Sequence, residues 1–471
     1  MKNIVQKTAI VALLFSISFC VSAQAAQLSG KTAMEITKLM GTGWNLGNSL
    51  DVPDGYGLNT EVSWGNPKTT QSMIDAVKRA GFNTVRIPVS WGKHTSQSGE
   101  LKYKIDDAWM ARVKEVVDYC FNNDMFVILN IHHDNNQTYY YPSPQHQEKS
   151  TNFVKDVWTQ VAAAFADYDQ HLIFETLNEP RLVGTADEWS FDMENLSENV
   201  RTACEIINTL NQVAVDAIRG NGSGYNKERM IMSPGYGALI NACRHSSFRL
   251  PTDNGGEANR IALSMHAYAP YELCLGTSAV TTYETQMKYD IEWHFSTLKS
   301  LYLDKGIAVV IGETSVSNKN NLSDRLKWVD CFYGCSKRFG IPCVLWDNNV
   351  YVNKDNAGES HGYLDRSTSS WYPDGKTMVD RIMKTLGVDM ENSGVEQIVT
   401  NSAIYITLSE GILQIVYDGK VEDVTVFDLR GNCLYEAKGG CLYDLNWMDC
   451  GVYVVCVKTP SGMSVQKILK K

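Results

Sequence analysis

From about residue 41 to 386 the chain alternates short apolar runs rich in β-branched residues with longer stretches in which apolar positions recur every three to four residues. The short runs occur eight times, at Gly43–Gly47, Thr84–Pro88, Phe126–Ile131, Leu172–Leu177, Met230–Ser233, Ala262–His266, Ala308–Ile311 and Cys343–Trp346. Between most of them the longer period predicts helices over Gln71–Ala80, Asp107–Phe121, Asn152–Phe165, Val200–Ile218, Tyr283–Leu303 and Ser323–Phe339. Eight strand–helix units of this kind predict the α/β class and, within it, a (β/α)8 TIM barrel. An open doubly wound sheet is the rival, but no GxGxxG turn follows a strand, and the GTGWNLG stretch at 41–47 lacks that spacing. After Leu386 the helical period disappears. Strands over Leu413–Tyr417, Val424–Leu429, Val452–Val457 and Ser464–Leu469, separated by turn residues such as Asp418-Gly419 and Gly439-Gly440, predict a small all-β sandwich over 395–471. A polar stretch, 387–394, reads as the linker between it and a barrel domain spanning 26–386.

The first 25 residues follow a different pattern. Lys2 and Lys7 precede an apolar run from Ala9 to Val21, and small residues follow, which predicts a cleaved signal peptide. The run falls short of the ~20 residues that span a bilayer, so no membrane span is expected in the mature chain. With 44% hydrophobic and 20% charged residues the composition is that of a globular protein. A net charge of -10 without a Lys/Arg cluster argues against nucleic acid as a partner and fits a neutral polar substrate. Twelve cysteines, one inside the leader, leave an odd number, so at least one thiol is expected unpaired.

In a barrel, chemistry gathers where the strands end at their C-terminal face. Those ends are polar here: Arg86 on the second strand, His132, His133 and Asp134 after the third, Asn178 and Glu179 after the fourth, His266 and Tyr268 on the sixth, Glu313 on the seventh and Trp346 on the eighth. Two carboxylates facing each other, one protonated and one ionised, are what cleavage of a glycosidic bond requires, because the leaving oxygen needs a proton while positive charge develops on the sugar. Arg86 and Tyr268 are placed to hold one carboxylate ionised, which leaves Glu179 as the proton donor.

The residues also carry a resemblance. Thr176-Leu177-Asn178-Glu179-Pro180 and Ile311-Gly312-Glu313-Thr314 resemble the acid/base and nucleophile motifs of glycoside hydrolase family 5. Gly43-Trp44-Asn45-Leu46-Gly47-Asn48, Ser63-Trp64-Gly65-Asn66-Pro67, Asn130-Ile131-His132-His133-Asp134 and Met265-His266-Ala267-Tyr268 are similar to its endoglucanase-like subfamily 4. The resemblance implies Glu313 as nucleophile and Glu179 as acid/base, with Asn45, Arg86, His132, His133, Asn178, His266, Tyr268 and Trp346 as the substrate-binding shell. It implies a retaining endo-β-1,4-glucanase that needs no cofactor, with an endo-β-1,4-mannanase or a non-catalytic glycan-binding protein as the alternatives. Val424-Thr425-Val426-Phe427-Asp428-Leu429-Arg430-Gly431, Gly451-Val452-Tyr453-Val454-Val455 and the basic end Lys467-Ile468-Leu469-Lys470-Lys471 resemble a type IX (Por) secretion sorting domain. That resemblance implies the secretion machinery as a partner and an extracellular or cell-surface location; a carbohydrate-binding module is the other reading of such a sandwich.

His132-His133-Asp134 also has the composition of a zinc site, but neighbours on a strand point to opposite faces, so both imidazoles reach one ion only if the strand has already turned. No metal is therefore expected, and neutral imidazoles that bond sugar hydroxyls are the preferred reading. Sugar faces also stack on aromatic rings. Trp346 is the first candidate, followed by Trp64, Trp189 and the Tyr139-Tyr140-Tyr141 cluster.

Overall fold

The computed structural model describes residues 28–388, except 257–259, 276–278 and 352–358, and residues 405–470, except 410, 418, 429–431, 450 and 461. The expected leader and most of the expected linker lie outside them. Eight parallel strands close a barrel in sequence order: β1 (Gly43–Leu46), β2 (Thr84–Ile87), β3 (Phe126–Asn130), β4 (Leu172–Glu175), β5 (Ile231–Pro234), β6 (Ile261–His266), β7 (Ala308–Thr314) and β8 (Cys343–Asp347). The fold is the (β/α)8 TIM barrel, with all-β sheets after it. Helices α1 (Ala33–Met40), α2 (Gln71–Arg79), α3 (Asp107–Phe121), α4 (Gln147–Ala164), α5 (Glu198–Gly220), α6 (Met287–Leu301), α7 (Leu322–Phe339) and α8 (Pro373–Leu386) accompany it. Between β5 and β6 the one α-helix among the described residues is short, Ile240–Arg244, preceded by a 3-10 turn at Tyr236–Ala238.

Alternation along the strands builds the interior in layers, because every second residue points inward. The lower layer is apolar: Phe126, Ile128, Ile173, Met230, Met232, Ala262, Ala308, Val310 and Val344 pack together. Leu28 and Ala33, Ile36 and Met40 of α1 pack into the same cluster and seal the floor. The helix is fixed at its start by a capping box in which Thr32 and Glu35 satisfy each other's backbone N–H. One step up the same strands the inward residues become Asn45, Arg86, Asn130, Glu175 and Ser264, all fully buried and polar. A further step reaches His132 and His266 at the mouth, and on β8 Trp346 stands one step above Val344, paired with Asn45.

Strand β7 breaks this parity. Met265 pairs with Ile311 but His266 pairs with Glu313, and the register to β8 also shifts here, so β7 carries an extra residue at Gly312. The bulge turns Glu313 toward the mouth, where strict alternation from Val310 would have aimed it at the surrounding helices.

The remainder forms a second compact unit from Asp389, the barrel unit ending at Val388. Within it a three-stranded and a four-stranded antiparallel sheet share a core of Ile406, Leu413, Ile415 and Tyr443 with Val424, Val426, Val455 and Val457. Every described cysteine is a free thiol.

Candidate active site

Glu313 sits at the end of β7 with each oxygen held by a different donor. The Arg86 guanidinium donates Nη1–H to Oε1 at 2.7 Å, and the Tyr268 hydroxyl donates to Oε2 at 3.0 Å. Arg86 makes three further hydrogen bonds: Nη1 also donates to Asn45 Oδ1 at 3.0 Å, Nη2 to Asn178 Oδ1 at 2.7 Å and Nε to Glu175 Oε2 at 2.8 Å, while Nη2 completes the ion pair 2.7 Å from the same Glu175 oxygen. The attraction of Glu175 and Glu313 outweighs the burial of the guanidinium, so Arg86 stays charged.

Asn45 and Arg86 were expected in the substrate-binding shell, and Arg86 also to hold one carboxylate; the structure places Arg86 on Glu313 and both side chains out of solvent. Both are fully buried beneath the carboxylates. Asn45 donates to the Gly312 carbonyl at 2.9 Å while accepting from Arg86. These side chains hold the floor of the site and the bulge of β7; protein atoms occupy the polar groups a sugar would need.

Glu179 follows β4 on the opposite side of the mouth, and the imidazole of His266 stands between it and Glu313. His266 Nδ1 is 2.7 Å from Glu179 Oε1 and 3.6 Å from Glu313 Oε2. One ligating atom from each of the three residues lies within 4.8 Å of the others. Burial alone would push the Glu179 carboxyl up, but the hydrogen bond from His266 and the charges of His266, Arg181 and His133 together bring it below the usual carboxylate range. His266 moves the other way: burial disfavours its charge, and the nearby Glu313 and Glu179 more than compensate. A proton is thus held between His266 and Glu179, at the place where the sequence led us to expect a protonated carboxyl alone.

Asn178 is oriented by Arg86, which claims its Oδ1 and leaves Nδ2 as the end available to a ligand. His132 is oriented through Asn130. The Asn130 Oδ1 accepts from the Val89 N–H at 3.2 Å and its Nδ2 donates to Glu175 at 2.8 Å. That arrangement makes Nδ2 the atom facing His132 Nδ1, 3.1 Å away. His132 Nδ1 therefore accepts, and its proton sits on Nε2. Burial, with the charges of His133, Arg86 and His266, holds the ring neutral by pushing it well below the ordinary imidazole range.

This tautomer bears on the zinc reading. β3 ends at Asn130, so the chain has turned by His132, and Asp51, His132 and His133 do bring ligating atoms within 4.8 Å of one another. The expectation that the two imidazoles face apart is thereby corrected. A cation on His132 Nε2 would have to displace its proton to Nδ1 and break the Asn130 hydrogen bond. Asp134, the carboxylate expected to join them, instead accepts the backbone N–H groups of Trp91 and Gly92, both at 2.8 Å. The donor set suits a hydroxyl better than an ion.

The Trp346 ring lies parallel to His132, 4° apart in plane with centroids 5.9 Å apart. Gly47 makes room for it, since a Cβ there would come within 2.7 Å of the indole. Trp64 is 45% exposed with its ring 5.9 Å from that of His133, and Trp189 is 52% exposed with the Arg181 guanidinium 3.9 Å beneath it. Tyr140 and Tyr141 are buried under the loop, and Tyr139 lies against Phe153 and Gly92. The cluster of three is packing.

Two residues of the site escaped the sequence reading. Glu175 is fully buried and takes donors from Arg86, Asn130 and Ser264. Its signal was a charge at an inward position of an apolar strand. Glu359, in the loop after β8, keeps an exposed surface, and partial desolvation with the negative charges of Glu313 and Glu179 pushes its carboxyl up.

Comparison with known proteins bears on the same region. The cellulase (glycosyl hydrolase family 5) model matches residues 50–352. Endoglucanase A of Clostridium longisporum is 40% identical over 358 residues, 74% of this chain and 65% of that protein, so the chain spans just under two thirds of that relative. A family 5 lichenase from Caldicellulosiruptor sp. F32, solved as a mutant with cellotetraose, is 40% identical with a TM-score of 0.70, covering 76% of this chain and 96% of the other. A subfamily 4 broad-specificity endoglucanase from Ruminococcus champanellensis, solved with cellotriose, is 37% identical with a TM-score of 0.67, covering 75% and 98%.

Proposed function

The chain belongs to the cellulase family, glycosyl hydrolase family 5, and from that premise we propose that it is a retaining endo-β-1,4-glucanase acting on cellulose-type, mixed-linkage or xyloglucan backbones. The observation that carries the reading is the spacing of the two carboxylates: an oxygen of each lies within 4.8 Å of the other and of a His266 ring nitrogen. Retaining enzymes place the two groups ~5–5.5 Å apart, whereas inverting enzymes leave ~6.5–9.5 Å for a water.

In this mechanism Glu313 attacks the anomeric carbon as the bond to the leaving oxygen breaks. Glu179 delivers to that oxygen the proton it shares with His266. A covalent glycosyl-enzyme forms, and Glu179, now a base, takes a proton from the water that releases the sugar. Arg86 and Tyr268 fix the nucleophile's oxygens. Asn178 Nδ2 and His132 Nε2–H supply donors for hydroxyls of the sugar being cleaved, and Trp346, Trp64 and His133 form the walls against which the chain lies. The lichenase and endoglucanase relatives support a glucan backbone as the substrate.

Residues 1–25 act as a leader and 395–471 as an export-sorting unit, a reading that rests on their sequence patterns. Among the described residues no helix is long and apolar enough to cross a membrane. The test of the catalytic reading is a panel of carboxymethylcellulose, mixed-linkage glucan, xyloglucan and mannan scored by reducing ends and viscosity. Rapid viscosity loss on the glucans is expected. Release from mannan alone would make it a mannanase, and release from none would make it a binder.

A further inference from the structure

Arg86 is shared unequally. Glu175 lies against two of its nitrogens, accepting from Nε at 2.8 Å with Nη2 2.7 Å from the same oxygen in the ion pair, and Glu313 accepts from one, Nη1. Arg86 and Glu175 are fully sealed and Glu313 nearly so. Solvent therefore screens the charges little, and one positive charge faces two negative ones. The hydrogen bonds by themselves do not call for a charge at position 175. A glutamine could accept from Arg86 and Asn130 with its oxygen and donate to Ser264 with its amide, which occupies the place of Oε1. The ionised carboxylate supplies what glutamine lacks, an offset to the guanidinium charge.

Resting on the retaining reading above, we propose that Glu175 is a positioning residue for the nucleophile: by neutralising Arg86 it leaves Glu313 tethered by the guanidinium yet carrying an uncompensated negative charge toward the anomeric carbon. An oxocarbenium-like transition state gains from that charge more than the neutral ground state does, so the device acts on rate and little on binding. Charged and titratable groups around Glu313 are Arg86 from β2, Glu179 after β4, His266 and Tyr268 from β6 and Glu359 after β8. Glu175 touches none of them but Arg86, so its influence on Glu313 runs through that side chain.

The experiment compares wild type with Glu175→Gln on an aryl β-cellobioside whose good leaving group needs little protonation. Active sites are counted by trapping the covalent intermediate with a 2-fluoro glycoside. With the guanidinium charge bearing on Glu313 alone, the nucleophile becomes a weaker base. The acid limb of kcat/KM should then move to lower pH, and glycosylation per active site should slow about 10- to 100-fold with KM little changed. Ser264→Ala leaves the charge but strips its hydroxyl donor, and should move the same limb the other way by a smaller step; it decides the matter if the glutamine variant does not fold. An acid limb that stays in place, with glycosylation per active site within twofold of wild type, overturns the inference. Failure of the wild type to form the covalent intermediate overturns the retaining reading instead.

Discussion

The two sides of the mouth are built on opposite plans. On the Glu313 side every contact is to an atom on a barrel strand or just beyond its end, and Arg86 makes four hydrogen bonds to protein acceptors. On the Glu179 side the carboxylate follows a strand, in a loop tied down by Asn135, whose Nδ2 donates to the Glu179 and Arg181 carbonyls at 3.2 and 3.0 Å, and its main partner is a titratable ring. A nucleophile needs fixed geometry and a charge that stays. An acid that must become a base needs a partner able to take up and give back a proton. The difference shows that two identical side chains acquire different work from the kind of hydrogen-bond donor beside them, one permanently charged and one switchable.

The largest test of this contrast is Glu313→Ala, which should lower kcat by several orders of magnitude on every substrate; retention of more than about a tenth of the rate would remove Glu313 as nucleophile, since a lost catalytic group costs ~3 kcal/mol or more. Glu179→Gln should be nearly as damaging on glucan and far less so on a substrate whose leaving group needs no proton. Equal damage on both would mean that the two sides do not differ as described. His266→Asn tests the switchable partner. Since Glu179 lies below and His266 above their ordinary values, the pair keeps its shared proton until pH rises through the His266 value. Without the ring Glu179 must hold the proton alone. The basic limb of the rate profile should fall toward the carboxylic range, with kcat lower by about 10- to 100-fold; an unmoved basic limb would assign it to another group.

Smaller effects lie further from the pair. Gly47→Ala would drive a methyl into the Trp346 ring, an overpacking worth about 1–3 kcal/mol, read as a lower Tm and a raised KM. Ending the chain at Val388 should leave kcat on soluble glucan unchanged, because every residue of the mouth precedes that point. A loss of affinity for insoluble glucan on that truncation would instead make the C-terminal unit a binding module.

The eight barrel strands were legible because a strand buried on both faces reads as a short apolar run rich in β-branched residues, as in Phe126–Asn130 and Ala308–Thr314. The hairpin of Thr95–Ser98 and Leu101–Ile105 was not, since its first strand is polar and mostly exposed and the alternation of Leu101, Tyr103 and Ile105 with lysines is confined to five residues. In the second unit Cys433–Lys438 also escaped, because its inward Tyr435 and Ala437 are only partly buried and give a weak pattern. The mouth residues were legible as strand-end polar groups. Which of them face the cleft was not: Asn45 and Arg86 sit one inward step too low, and that depends on the register between strands. The exchange between Glu179 and His266 was likewise beyond reach, because it arises from a separation of 87 residues closed only by the folded barrel.

The bulge at Gly312 carries a lesson for anyone rebuilding this barrel. A designer who regularised β7 to ideal pleating would improve its pairing with both neighbours and, in the same stroke, rotate the Glu313 side chain outward into the helical shell. The molecule would then fold as a better barrel and an inert one. Its irregular strand is the component that a stability-driven redesign would be first to erase, and the one whose removal no conservative choice of side chains elsewhere could make good.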